Sequence, residues 1–215
     1  MIIAIDGPSA SGKGTLARRL AATLDFAHLD TGLLYRAVAS RLLEAGGSAD
    51  DPAAAQAEAE RIEPADLARA DLRSEAVSQA SSLVAALPAV RAALLAFQRR
   101  FAQQPPGGKA GAVLDGRDIG TVVCPEAEVK LFVVADLETR AQRRHKELLE
   151  RGETSIYPRV LQDLQARDAR DSGRQAAPLR PADDATVLDT SKMDADAALE
   201  AALAVVAARR TGAEA

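Results

Sequence analysis

The sequence has no tryptophan, one cysteine, two methionines and two histidines among its 215 residues. The lone cysteine, Cys124, excludes a disulfide scaffold and a multi-cysteine zinc site, and reads as a small packed residue. His28 and His145 leave little material for a histidine-based metal centre. We expect His145, in a charged helix, to be solvated and assign His28 no role. No apolar run approaches the roughly 18 residues that a membrane span needs. The first residues, MIIAIDGPSASGKGT, carry no basic start and no cleavage pattern, so they do not read as a signal peptide. A net charge of −4 supplies no basic field to draw in a nucleic-acid polymer. These absences lead us to expect a cytoplasmic protein without membrane or nucleic-acid partners. No exposed apolar stripe stands out, so we expect a monomer.

What is present is ordinary in amount and uneven in kind. Hydrophobic residues make up 47% and charged residues 27%, and a chain of this length buries enough surface to fold as one domain without cross-links. The cations are biased, with 22 arginines against 5 lysines. A coding bias would scatter the arginines. Selection for planar, bidentate anion binding would concentrate them where anions sit.

Short apolar runs alternate with helical periodicity. Residues 2–5, 27–30, 112–114, 129–135 and 185–188 read as strands. Helices are expected from Lys13, over 31–44 and 73–86, from Pro88 through Phe101, and over 137–150, 158–171 and 194–209. Residues 103–111 read as a loop, 48–72 as short helices, and the last five residues as frayed. This alternation predicts an α/β fold with a parallel sheet covered on both faces. The helical block at 48–105 interrupts it as an appended subdomain.

The stretch GPSASGKGT, Gly7 to Thr15, follows the first strand and opens the first helix. In that context a glycine-rich loop curls successive N–H groups around phosphate oxygens, and the helix N-terminus adds its positive end. Gly7, Pro8, Ser9, Ala10, Ser11, Gly12, Lys13, Gly14 and Thr15 are thus the candidate residues for binding the phosphates of ATP, with Lys13 reaching the β- and γ-phosphates. The residue after Lys13 is Gly14, so the hydroxyl that ligates magnesium directly in GTPase-type loops is displaced to Thr15. The GKGT form resembles the nucleoside monophosphate kinases, which hold Mg²⁺ largely through water and the phosphates. We therefore name no protein metal ligand.

Three further segments narrow the resemblance. Asp30-Thr31-Gly32-Leu33-Leu34-Tyr35-Arg36 is similar to the D-[ST]-G-x-x-Y-R segment of bacterial cytidylate kinases. Asp115-Gly116-Arg117-Asp118-Ile119-Gly120-Thr121 resembles their DGRDxGT loop. Arg167-Asp168-Ala169-Arg170-Asp171-Ser172-Gly173-Arg174 resembles their RDxRDxxR lid. The resemblance implies a three-layer P-loop kinase fold. Its core lies at about 1–30, 106–150 and 182–210, its acceptor-binding region at about 31–105 and its lid at about 151–181. It implies transfer of a phosphoryl group from ATP, with Mg²⁺, to CMP or dCMP. It places Thr31, Tyr35 and Arg36 in the acceptor site, Ser82 and Arg91 against the cytosine with Asp118, and Arg167 and Asp171 near the acceptor ribose. Lys13, Arg117, Arg167, Arg170 and Arg174 become the catalytic set, with Arg117 and Arg174 also on the acceptor phosphate.

Residue chemistry leaves quieter readings open at these positions. Thr31 can be a helix cap and Tyr35 a core residue. Arg117 and Asp118 can be a local turn pair, Arg91 a solvated helix charge, and Ser82 an ordinary helix serine. Arg167, Arg170 and Arg174, at spacings of three and four, can be one solvated ion-pair face with Asp171. Other acceptors, UMP or AMP, and a non-catalytic ATP-binding switch are the rival functions. Where many cytidylate kinases carry a β-rich insert, residues 62–71 here lack strand alternation, and we expect that small sheet to be missing or greatly reduced.

Overall fold

The computed structural model describes residues 1–212. Five parallel strands form one sheet: β1 (Ile2–Asp6), β2 (Ala27–Asp30), β3 (Ala112–Gly116), β4 (Val129–Val134) and β5 (Thr186–Asp189). Their order is β2-β3-β1-β4-β5. Ile3 lies opposite Val113 and Val129, so β1 is central and buried on both faces, as its unbroken apolar run requires.

The helices are α1 (Lys13–Leu24), α2 (Thr31–Glu44), α3 (Pro52–Ala59), α4 (Glu75–Val84), α5 (Pro88–Gln103), α6 (Leu137–Glu150), α7 (Tyr157–Gly173) and α8 (Ala195–Gly212). One face of the sheet packs against α1 and α8 through Leu16, Leu20, Ala202 and Val206. The other packs against α2 to α5 through Leu34, Val38, Leu42, Val84 and Leu94. A smaller cluster of Ala141, Leu148, Val160 and Leu164 joins α6 to α7. No single helix among the described residues is long and apolar enough to cross a membrane.

The expected elements are present within three residues of the stated bounds. Helical turns fill residues 64–73, and no strand occurs there among the described residues, so the expected loss of the small insert sheet holds. The expectation of fraying meets a helix through Gly212, and residues 213–215 lie outside the described residues. One element was not expected. Residues 119–123 form a single wide helical turn in which Val123 and Cys124 donate backwards to Asp118 and Ile119 carbonyls. One alternative reading and one expectation need correction. Thr31 is not the cap of α2: Asp30 takes that place, and the Thr31 hydroxyl donates to the Asp115 carbonyl at 2.8 Å. His145 is half-buried rather than solvated, hydrogen-bonded through Nδ1 to Ser155 Oγ at 2.7 Å and edge-on to Tyr157. His28 meets Asp115 Oδ1 through Nε2 at 2.8 Å.

Gly7 starts the turn out of β1 with φ +152, and a Cβ there would stand 2.1 Å from the Val133 carbonyl oxygen of β4. That clash is with backbone and cannot relax by a rotamer change. Gly7→Ala should therefore lower stability by about 3 kcal/mol or more, read as a shift in the urea midpoint with an unchanged slope. An unshifted midpoint would contradict this packing.

Candidate active site

The carboxyl ends of β1, β2 and β3 open into one cavity of about 600 Å³, within the range that suits small-molecule ligands. The phosphate loop forms its floor. Gly12 caps α1 in the left-handed region at φ 87, and Ala10 also has positive φ, at 59. These two residues let the loop turn its N–H groups inward. The outward carbonyls are held separately: Pro8 O accepts from Lys13 Nζ at 3.1 Å, Ser9 O from Arg140 Nη1 at 3.3 Å, and Ser11 O from the Thr190 hydroxyl at 2.9 Å. Thr15 is exposed on the outer side of the first turn. Ser9, Ala10, Lys13 and Gly14 line the cavity, whereas Gly7, Pro8, Ser11 and Gly12 shape the turn behind them.

Lys13 is buried with two arginines close by. Burial first, and then the charge of Arg117, push its pKa down from 10.5 to about 7, against the opposing pull of Asp115 and Asp30. Asp30 moves the other way, raised by burial and by neighbouring Asp115. Asp6, at the end of β1, accepts from Ile119 N and Gly120 N at 2.8 Å each and so fixes the loop that follows β3. Burial raises its pKa to about 7 despite those two bonds.

That loop supplies Arg117 and Asp118, which do not pair with each other. Arg117 Nε donates to Asp171 Oδ2 at 2.8 Å, and Arg91 Nη2 donates to Asp118 Oδ2. The turn-pair alternative therefore fails. Arg91 is 10% exposed, donates Nη1 to Ala85 O at 3.1 Å, and lies over the Tyr35 ring at 5.4 Å from its centroid. It is thus no solvated helix charge. Tyr35 itself is buried. Ser82 Oγ is buried beside them without a hydrogen-bond partner.

The third wall is α7. The Asp171 side chain is 1% exposed, and three guanidinium groups surround it: Arg117, Arg174, which donates through Nη2, and Arg167, whose Nε lies 3.9 Å away. Burial raises the carboxyl pKa, but the charges of Arg117, Arg174 and Arg167 outweigh it and hold it below the usual range. A solvated ion-pair face does not describe this arrangement. Arg167 Nε and Arg174 Nε are buried without hydrogen-bond partners. Buried donors of this kind want an acceptor. Arg170 lines the cavity but stays exposed, so the expected arginine stripe divides. Arg36, from α2, donates to Leu72 O at 2.9 Å and to Ser78 Oγ at 3.0 Å, and also lines the cavity.

Sequence reasoning missed Arg140, Asp6, Asp115 and Thr190. Asp115 stood inside the quoted DGRD motif, and Asp6 stood directly before the phosphate loop, so both had a signal. Arg140 is one of three arginines in a charged helix segment and had none.

A glycine-rich loop between a strand and a helix, facing arginines across one cavity at the carboxyl end of a parallel sheet, is the architecture of a P-loop phosphotransferase. A model of the cytidylate kinase family matches residues 3–208. The cytidylate kinase of Paramagnetospirillum magneticum is 62% identical over 209 residues, covering 97% of this chain and 99% of that protein. That of Rhodospirillum rubrum is 58% identical over 207 residues, covering 96% and 97%. A solved structure of an uncharacterized protein from Eubacterium ventriosum superposes with a TM-score of 0.56 at 15% identity, over 95% of this chain and 96% of its own, which bears on the fold alone. The chain belongs to the cytidylate kinase family.

The depressed Lys13 pKa generates a prediction. Polyphosphate beside Lys13 favours its charged form, so above pH 7 binding must take up a proton. Affinity for a nucleoside triphosphate should fall as pH rises from 7 to 9. Calorimetry at pH 8 in two buffers of different ionisation enthalpy should show uptake approaching one proton. Heats independent of buffer would contradict the burial of this charge.

Proposed function

We propose that this chain transfers the γ-phosphoryl group of ATP to CMP or dCMP, giving ADP and the cytidine or deoxycytidine diphosphate. An oxygen of the acceptor phosphate attacks the γ-phosphorus in line. The bond to the β,γ-bridging oxygen breaks, and that oxygen keeps the electron pair. No covalent enzyme intermediate is needed, so the protein's work is positioning and charge neutralisation. Lys13 and the loop N–H groups hold the donor phosphates. Arg36, Arg117 and Arg174 hold the acceptor phosphate. Arg167 and Arg170 complete the clamp, and Asp171 with Arg167 approaches the ribose.

The orphaned, buried Nε groups of Arg167 and Arg174 are the observation that carries this reading. They point to an anion between the phosphate loop and α7. We read α2 to α5 as the acceptor arm and α7 as the lid over one kinase core. We also propose that the enzyme works as a monomer in the cytoplasm.

Magnesium fits this site as the companion of ATP. No group of three or more His, Cys, Asp or Glu side chains capable of holding a metal occurs among the described residues. Asp30 and Asp115 face the phosphate loop and suit water ligands of a phosphate-bound ion. When bound, the ion supplies charge neutralisation across the β- and γ-phosphates.

The base is read by Asp118, Arg91 and Ser82. Cytosine presents an amino donor at N4, and uracil an acceptor at O4. Asp118 can accept from the former and faces a lone pair of the latter. ADP release with CMP, dCMP, UMP and AMP in turn should show turnover with the two cytidine nucleotides only. Asp118→Ala should lower kcat/KM for CMP by the equivalent of about 1–3 kcal/mol and flatten the preference over UMP. Equal wild-type turnover of UMP would overturn the base assignment, and release independent of any acceptor would overturn the transfer reaction.

A further inference from the structure

We infer that Arg140 and Asp168 form a positioning pair that sets the lid arginines against the phosphate loop. The inference rests on the reading of Arg167 and Arg174 as phosphate-holding groups. It adds two residues that do not themselves line the cavity.

Arg140 is buried near the start of α6. Its guanidinium joins three parts of the molecule. Nε donates to Ala135 O at the end of β4, at 3.0 Å. Nη1 donates to Ser9 O of the phosphate loop at 3.3 Å and to Asp168 Oδ1 at 3.1 Å. Nη2 donates to Asp168 Oδ2 at 2.7 Å. The contact with α7 is therefore a two-pronged fork, which fixes distance and orientation together.

Asp168 adjoins Arg167 and lies one turn before Asp171. The apolar contact of α6 with α7 is small, built on Ala141, Leu148, Val160 and Leu164. Apolar contact is non-directional and tolerates sliding. A bidentate pair does not, so Arg140 fixes the register of α7 against the phosphate loop, alongside the Arg117–Asp171 bond to the loop after β3. Through that register the pair places Arg167 and Arg174 relative to the γ-phosphorus. A displacement of about 1 Å at that distance from the chemistry is enough to cost on the order of 10²-fold in rate. Because Arg174 also holds the acceptor phosphate, the pair should govern kcat together with CMP capture and leave ATP capture alone.

The test compares Asp168→Asn, Arg140→Met, the double variant and Arg167→Met, with thermal midpoints recorded for each. Asp168 is partly exposed, so Asp168→Asn carries the test even if Arg140→Met folds poorly. Asp168→Asn should lower kcat for CMP by about tenfold or more with the KM for ATP within about threefold. Hydrolysis of ATP without acceptor should become a larger share of its turnover. Asp168→Glu, which restores the carboxylate, should recover part of the loss, and the double variant should lose no more than Arg140→Met alone. An unchanged kcat in Asp168→Asn, a loss confined to KM, or losses that multiply in the double variant would overturn the inference. If Arg167→Met is impaired while Asp168→Asn is not, the pair fails and the lid reading stands. If neither is impaired, the lid reading fails with it.

Discussion

Three guanidinium groups converge on one buried carboxylate, and the active-site geometry follows from that. Arg117 comes from the end of β3, and Arg167 and Arg174 from α7, so Asp171 ties the lid to the sheet. Left alone, three like charges in a low-dielectric recess would repel one another by several kcal/mol. Asp171 offsets that repulsion and holds the cations where a phosphate can join them. Removing one member of such a buried set costs about 3–5 kcal/mol, because the remaining charges are left uncompensated. On the proposed function, a phosphate arriving here would meet an arrangement already built, which is how preorganised electrostatics lowers a barrier.

The floor of the site is built on the same logic. An inward-facing loop of N–H groups is stable only if its carbonyls are satisfied elsewhere. Lys13, Arg140 and Thr190 satisfy those of Pro8, Ser9 and Ser11. Asp6 does the equivalent for the loop after β3 by accepting from Ile119 and Gly120. The burial that makes these contacts strong also destabilises isolated charges, and Lys13 and Asp6 both move toward neutrality as a result. On the proposed function, incoming phosphates would reverse this for Lys13 and couple binding to protonation at the loop.

Much of the fold was legible in the sequence because it rests on local signals. The apolar run Ile2–Ile5, the turn at Gly7 and the periodicity of Leu16 and Leu20 each act within a few residues. The loss of the insert sheet was readable from the missing alternation at 62–71. Partnerships across the chain were not readable. Arg91 and Asp118 lie 27 residues apart, Arg140 and Asp168 28 apart, and His28 and Asp115 87 apart. Helical spacing correctly placed Arg167, Asp171 and Arg174 together but could not say whether the face was wet or buried. Burial decides between a surface ion pair worth tenths of a kcal/mol and a buried charge cluster, and burial is a property of the whole fold. Ser82 was singled out by the family resemblance alone, because an unpaired hydroxyl on a cavity wall has no signature in one sequence.

The most direct test of the account is CMP affinity in Asp171→Asn, measured calorimetrically at fixed ionic strength. If Asp171 merely neutralised its neighbours, removing its charge would strengthen the positive field and tighten binding of an anionic ligand. If it organises them, the arginines splay and binding weakens. We expect CMP affinity to fall by about tenfold or more, the equivalent of one charged hydrogen bond of about 1.5 kcal/mol lost from the complex. Unchanged or tighter binding would contradict it.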